Sequence, residues 1–487
     1  MSTDSVSTHS RRNLLLFAAI VGLQYLAAPV IYVGITQASL LRQLTPNAVV
    51  ANLPGASFFV MATLAALAAW AFPRVAQLKP VLVACYGTAA VTSALTAVAL
   101  MMPVSNNAKI AAVVAQSALT GATIPTAIAF IWEVLGRTTD ESKRGVALGL
   151  AYGAGPILAA LGSLASQLIL AGEFEFGPID IRVTPFGSPT NYALLFGLIA
   201  PVMGLAAFLS SRFEIVAPIV EPGRRPVAEV IDLVLGVLAG VAAMMFAIYE
   251  LMPLSIACML VSTALFAVHF RDLLSVRLLR LVAVMTVIFY VGNTIPSNMN
   301  LYSESVLGVD PMEYAGYQNL LRFTFKAIAG TALGWLLVRT NPRAGVLVTA
   351  GLYVLALAWA MFSTGKMYLV AFGVFGAGEL IGVYAPNYML SACRTSEMKR
   401  GQVMMNLAMG PVGQAGLLFG WIAQTIKENN ITAFGATSEA LGFQTSFAVC
   451  GGILALGILF TLLFIPPHPK RDDDGALDGP KPIDSSS

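Results

Sequence analysis

Long apolar runs alternate with short polar segments along the whole chain. A membrane-spanning helix needs about 20 predominantly apolar residues. Runs of that kind predict spans at 14–36, 49–72, 80–102, 108–134, 145–171 and 191–211. Two more are predicted at 228–249 and 254–270, and six more at 281–303, 315–338, 344–363, 367–393, 401–426 and 443–465. The pattern is that of an all-α polytopic membrane protein with fourteen spans. It divides the chain into an N-terminal stretch 1–13, a six-helix bundle 14–211 and a linker 212–280 carrying two extra helices. A second six-helix bundle at 281–465 and a disordered tail 466–487 follow. The two linker helices are joined only by residues 250–253, so a re-entrant hairpin is the alternative for that pair. The longest connection away from the termini, 172–191, alternates at Ile179, Ile181 and Val183. A small hairpin lid would use that alternation, although a solvated loop is the expectation.

Charge placement supports the count and orients it. Of the 28 lysines and arginines, 21 fall in segments on the side of the N-terminus, 5 on the opposite side and 2 inside the tenth span. Cytoplasmic segments carry the excess of Lys and Arg, so both termini are expected in the cytoplasm and the protein in the cell membrane. Trp70, Trp132 and Trp335 sit near the inner helix ends, where interfacial aromatics belong, although ordinary packing explains them as well. Charged residues make up 11% of the chain and hydrophobic ones 57%, against about 25% charged in soluble domains. A water-soluble enzyme, a nucleic-acid binder and a disordered chain are excluded on that ground. Cys85, Cys258, Cys393 and Cys450 lie in apolar segments without paired spacing and read as small core residues. The histidines, His9, His269 and His468, are scattered at membrane edges, and no metal-ligand spacing or phosphate-binding loop appears. No cofactor or metal is expected, nor a cleaved signal or lipid anchor. Transport, if that is the function, must then be driven by an ion gradient or by the solute's own.

The two sets of six spans repeat each other. Pro46 precedes Arg74 as Pro311 precedes Arg339, both pairs being offset by the same interval as Tyr25 and Tyr290. The basic segment from Arg137 through Arg144 parallels that from Arg394 through Arg400, and each leads into a span containing Gly-Pro: Gly155-Pro156 and Gly410-Pro411. Both halves start on the same side, so the repeat is parallel, an arrangement that lets two bundles rock about a central site.

With this repeat the chain resembles the major facilitator superfamily over nearly its whole length. The signature loop of that superfamily, Gly-x-Leu-x-Asp-Arg-x-Gly-x-(Arg/Lys), is matched at Gly334, Leu336, Arg339 and Arg343, while Val338 and Asn341 depart from it. In the first half Arg74 matches and Pro73 stands at the acidic position. The resemblance implies that these loops latch the halves together through charge pairs; with the acids missing, the latch is lost or moves to Glu133 and Asp140. Gly155-Pro156-Ile-Leu-Ala159-Ala160 is similar to the antiporter motif, with Ala-Ala in place of its final glycines. The two added helices resemble the fourteen-helix branches, which include drug:proton antiporters and peptide symporters. The first span, however, carries neither branch's charged signature, and no subfamily is assigned.

Three charges fall deep within spans: Arg322 and Lys326 on the tenth and Glu379 on the twelfth. A charge at mid-bilayer costs at least about 2.5 kcal/mol, so these three should face a cavity or one another. At i and i+4, Arg322 and Lys326 share one helix face. The functional reading gives Arg322 an anionic solute, with Lys326 and Glu379 as a proton-sensitive pair; the plainer reading is a buried salt bridge that holds two helices together. Candidate substrate-binding residues are Arg322, Lys326, Gln24, Tyr25, Gln116, Asn293, Asn298, Tyr384 and Asn387, and Glu379 is the candidate for proton coupling. Pro29, Pro125, Pro296 and Pro386 are expected to break or bend the first and fourth helix of each half, the helices that line the cavity in the resembling superfamily. The expected function is proton-coupled secondary transport of a small organic solute by a monomer in lipid, with no nucleic-acid partner. An amphiphile:proton efflux antiporter and a non-transporting receptor or partner subunit are the alternatives.

Overall fold

The computed structural model describes residues 3–32, 34–138, 154–176, 178–215, 230–393 and 398–469. Among the described residues, thirteen helices are long and apolar enough to cross a membrane. In the first half these are α1 (Arg11–Leu44), α2 (Ala48–Ala71), α3 (Val75–Met101), α4 (Asn106–Leu135), α5 (Ala154–Ala171) and α6 (Thr190–Ser210). The inserted pair is α7 (Ile231–Ile248) and α8 (Met252–His269). The second half begins with α9 (Arg277–Leu307). Next comes α10 (Pro311–Arg339), a fourteenth helix of 29 residues, made more polar by Gln318, Asn319, Arg322 and Lys326. It is followed by α11 (Pro342–Phe362), α12 (Gly365–Met389), α13 (Val403–Glu428) and α14 (Ser438–Phe464). The inserted pair consists of two helices of 18 residues each, about 27 Å long at 1.5 Å per residue, close to the hydrocarbon thickness of a bilayer.

The connection after α5 forms an antiparallel hairpin, β1 (Glu173–Phe176) with β2 (Ile179–Arg182), pairing Glu173 with Arg182. This corrects the expectation of a plain loop. The alternation marked a real hairpin, which is held by Tyr317 of α10: its ring stacks on Phe174 with centroids 5.2 Å apart, and its hydroxyl bonds the Glu175 backbone.

Helix starts follow local chemistry. Asn47 caps α2 through the Val49 and Val50 amides, Asp310 caps α10 through Met312, and Asn341 caps α11 through Ala344. Such side chains satisfy amides that the first turn leaves unpaired.

The repeat read in the sequence reappears as packing. The pairings α2–α4, α3–α4 and α3–α6 recur as α10–α12, α11–α12 and α11–α14. The halves meet along α5–α10 and, related to it by the repeat, α2–α13. The inserted pair lies against α2 and α13, pinned where the Gln414 amide donates to the Gly240 carbonyl at 2.8 Å. One crossing recurs at backbone distance. On α4, Gly121 lies against the main chain of Phe58 on α2, and on α12, Gly376 lies against the main chain of Arg322 on α10. A Cβ at either glycine would collide with the facing carbonyl, so small residues are required there for close helix approach.

Not every expected proline break is where the sequence placed it. α1 is interrupted between Ile31 and Ile35, just beyond Pro29, with Gly34 in the left-handed region at φ 77. α9 passes through a 3-10 turn, Val291–Thr294, before Pro296. Pro125, by contrast, lies inside a continuous helix. α12 breaks at Glu379 and Leu380, and Pro386 lies within the following helix, Ile381–Ala392. The broken turn in α1 frees carbonyls that side chains then satisfy: Thr36 donates to Pro29 at 2.6 Å and Gln37 to Val30 at 2.5 Å. Irregular backbone at membrane depth persists where protein or a cavity surrounds it.

Candidate functional site

The broken helices surround a cavity of about 320 Å³ between the two halves, at the lower end of the usual range for small-molecule sites. Gln24, Tyr25 and Tyr32 of α1 and Asn52, Phe58 and Phe59 of α2 line one side. Tyr290 and Asn293 of α9, Arg322, Phe323 and Lys326 of α10, and Glu379 of α12 line the other. Trp132 extends the lining toward the end of the bundle that holds the start of α1 and packs edge-on against Phe17. Its ring therefore serves the cavity, unlike the lipid-interface role considered for it.

The three deep charges meet. Both oxygens of Glu379 accept from Arg322, one of them from Nε at 2.7 Å. The Lys326 ammonium lies 3.6 Å from Glu379 Oε2. The side chains of Arg322 and Glu379 are only 4% and 8% exposed, and that of Lys326 is 23% exposed. The guanidinium also lies near the faces of Phe375 and Phe323, 5.5 and 6.0 Å from their ring centres. Its Nη1 is buried without a hydrogen-bond partner. The break in α12 puts Glu379 at the end of a helical segment, and Gly376 one turn earlier lets α12 come close enough for the carboxylate to reach the fork of Arg322.

Other candidates fall into two groups. Gln24, Tyr25 and Asn293 line the cavity. Gln24 donates to Tyr32 Oη at 2.7 Å and accepts from Tyr86 at 3.1 Å, and Asn293 accepts from Tyr353. Gln116, Asn298, Tyr384 and Asn387 do not line it. Gln116 is turned along its own helix to Thr120 and Ser117. Asn298 joins the halves, accepting from Asn52 at 2.7 Å and donating to Ser446 at 3.2 Å. Tyr384 packs over Gly345, and Asn387 is exposed. Polarity inside a span reports a hydrogen bond as readily as a cavity, and only the tertiary arrangement separates these cases.

The latch residues divide likewise. Gly155, beside Pro156, presses against the Tyr25 ring. Arg74 is exposed. Arg137 pairs with Glu133 on its own helix at 2.7 Å. Arg343 donates to the Ile465 carbonyl at 2.8 Å, within the second half. Neither Arg137 nor Arg343 thus bridges the halves through these bonds. Arg144, Arg394 and Asp140 lie outside the described residues, as do the side chains of Arg339 and Arg400 and the surroundings of Gly334.

A contact that does bridge the halves sits at the opposite end, with no counterpart among the sequence-based expectations. Arg42, at the end of α1, pairs with Glu304 of α9 at 3.0 Å and with Glu439 of α14 at 2.6 Å. Lys427 of α13 also reaches Glu439, at 2.8 Å. Nearby, Gln167 of α5 donates to the Glu313 carbonyl at 2.7 Å and accepts from the Tyr317 amide at 3.1 Å. Together with Asn52–Asn298 these contacts join the halves at the end remote from the start of α1. No spacing rule joins Arg42 to partners more than two hundred residues away.

No protein-family model matches the sequence, and no curated protein sequence matches it. The likeness to solved structures is extensive. A crystal structure of an auto-inhibited POT family peptide transporter has a TM-score of 0.65 at 14% identity, covering 94% of this chain and 98% of that one. The nucleoside transporter NupG gives 0.58 at 11%, with 93% and 99% covered. A D-xylose-proton symporter gives 0.58 at 14%, with 96% and 99% covered. Identities this low speak to architecture alone, and the architecture is unambiguous: this is a multi-pass, all-α membrane protein with the major facilitator transporter fold.

Proposed function

We propose that this protein is a secondary transporter that moves a small organic solute by alternating access, with protons as the coupling ion. The observation that carries the reading is the buried Arg322–Glu379–Lys326 group on the wall of a cavity between two repeated halves. A carboxylate held by two cations in that position can exchange its partners for a proton, and the exchange is felt by every helix that meets there. Support also comes from the ion pairs that join the two halves at the Arg42 end, contacts that alternating access would have to break and remake. The solved transporters of this fold include a D-xylose-proton symporter. In this reading Arg322, Lys326, Gln24, Tyr25 and Asn293 contact the solute, Glu379 carries the proton, and both termini face the cytoplasm. The protein works as a monomer in the lipid of the cell membrane. The absence of an acid on α1 and the two cations on α10 disfavour the drug-antiporter alternative.

The test is a solute screen with the purified protein in proteoliposomes under an imposed pH gradient. A transported solute should accumulate with the wild type. Glu379→Gln should lose gradient-driven accumulation while retaining solute exchange, because exchange moves no net proton. Full accumulation by Glu379→Gln would remove Glu379 from the coupling step.

A further inference from the structure

We infer that the cavity is built for an organic monoanion, a carboxylate on a compact apolar or aromatic body, and that a proton on Glu379 tightens its binding. The inference rests on the transporter reading and specifies its solute. Among the described residues, three charged side chains line the cavity, two cations and one acid, which leaves those walls one surplus positive charge. Buried charge is costly unless it is paired. The surplus sits at a defined place: the Arg322 fork is filled by Glu379, Nη1 has no partner and is buried, and Lys326, the most exposed of the three, is 3.6 Å from the shared carboxylate. A carboxylate entering beside Lys326 would cancel the surplus. A neutral solute would leave it in place, a cation would add to it, and a zwitterion would also leave the sum unchanged.

The two halves line the cavity unequally. At the interval that relates Pro46 to Pro311 and Arg74 to Arg339, Phe58 of α2 is the counterpart of Phe323 of α10, and both line the cavity, whereas the counterpart of Arg322 is the uncharged Ser57. Among the described residues, the second half supplies the charges of the cavity, and the first half's wall, with Tyr25, Tyr32, Phe58 and Phe59, carries none. A ligand matching this cavity has one anionic end and one apolar, ring-like end.

The proton linkage follows from the same contacts. The charged groups facing Glu379 are Arg322 and Lys326 from α10; the phenol of Tyr353 on α11 lies within electrostatic reach of it, and Tyr290 of α9 and Cys450 of α14 surround that phenol. Only the two cations compete for its charge. When Glu379 takes a proton from solvent, it releases the Nε and Nη2 donors of Arg322, and that planar fork matches an incoming carboxylate with two parallel hydrogen bonds. Anion binding therefore strengthens as Glu379 is protonated. A zwitterion would need Glu379 ionised to hold its ammonium, and its binding would weaken instead.

The test uses benzoate, with benzamide as its neutral isostere, benzylamine as a cation and alanylalanine as a zwitterion. Binding to the detergent-purified full chain is followed by thermal stabilisation and by calorimetry, from neutral to mildly acidic pH where benzoate stays ionised. The expected result is saturable binding of benzoate, at least tenfold tighter than the other three, with affinity rising as pH falls. Glu379→Gln, which mimics the protonated state, should bind benzoate at least as tightly as the wild type and without that pH dependence. Equal binding of benzamide or alanylalanine, absence of benzoate binding at millimolar concentration, or affinity that falls with acidification would overturn the inference. The wild-type pH series and the four-probe comparison stand even if Glu379→Gln does not fold. Proteoliposome counterflow separates the two readings. Benzoate binding without protein-dependent benzoate counterflow would keep the anion site and end the transport reading. Counterflow of a neutral or zwitterionic solute without benzoate binding would do the reverse.

Discussion

Removing Glu379 should destabilise the protein more than removing Arg322, and removing both should cost less than the sum. Arg322 and Glu379 are 4% and 8% exposed and joined through two donors. Breaking a buried pair from one side leaves an uncompensated charge, at about 3–5 kcal/mol. Glu379→Gln strands two cations at once, so it should fall in that range. Arg322→Gln leaves Glu379 beside Lys326, which is 23% exposed and 3.6 Å away, so about 1–3 kcal/mol is expected. The double variant Arg322→Gln/Glu379→Gln leaves only Lys326 charged, and two glutamines can bond one another. Its cost should not exceed that of Glu379→Gln alone, which makes the coupling energy at least about 1 kcal/mol. Denaturation in detergent micelles, read by tryptophan fluorescence and by the monodisperse fraction after heating, gives all three values. Additivity within about 0.5 kcal/mol, or a larger loss for Arg322→Gln than for Glu379→Gln, would refute the compensated-pair argument.

Three further outcomes are expected. Arg42→Gln should loosen the joined end: its two partially exposed pairs are worth up to about 1 kcal/mol each, so spin labels at 105 and 432 should report a several-fold larger open population by pulsed electron resonance, with high salt acting in the same direction; an unchanged distance distribution counts against the clasp. Gly376→Ala should cost about 1–3 kcal/mol from overpacking because its Cβ meets the Arg322 backbone, whereas Gly351→Ala, with nothing within 4 Å, should be neutral; equal effects in the same denaturation assay would reject the close crossing. Ser275→Cys, between α8 and α9, should resist an impermeant thiol reagent in sealed cells and react after lysis, and labelling from outside would reverse the proposed orientation.

The number and length of the spans and the parallel repeat were legible in the sequence, because the bilayer imposes a length and an apolarity that each helix must meet alone. The deep charges were legible for the same reason: a guanidinium or carboxylate in mid-span is too costly to be there without a partner. What one chain of letters does not carry is which polar residue turns to whom. Gln24 and Gln116 look alike in a span, yet one lines the cavity and the other bonds Thr120 of its own helix. Pro29 and Pro386 look alike, yet α1 breaks beyond the first while α12 breaks at Glu379, ahead of the second. Arg42 was one loop cation among five on its side until the fold brought Glu304 and Glu439 to it. Span formation is decided locally, between a helix and its solvent. Pair formation across α1, α9 and α14 is decided only when two bundles dock, and it was the docking that set Arg322 opposite a phenyl-lined wall and gave the cavity its two unlike ends.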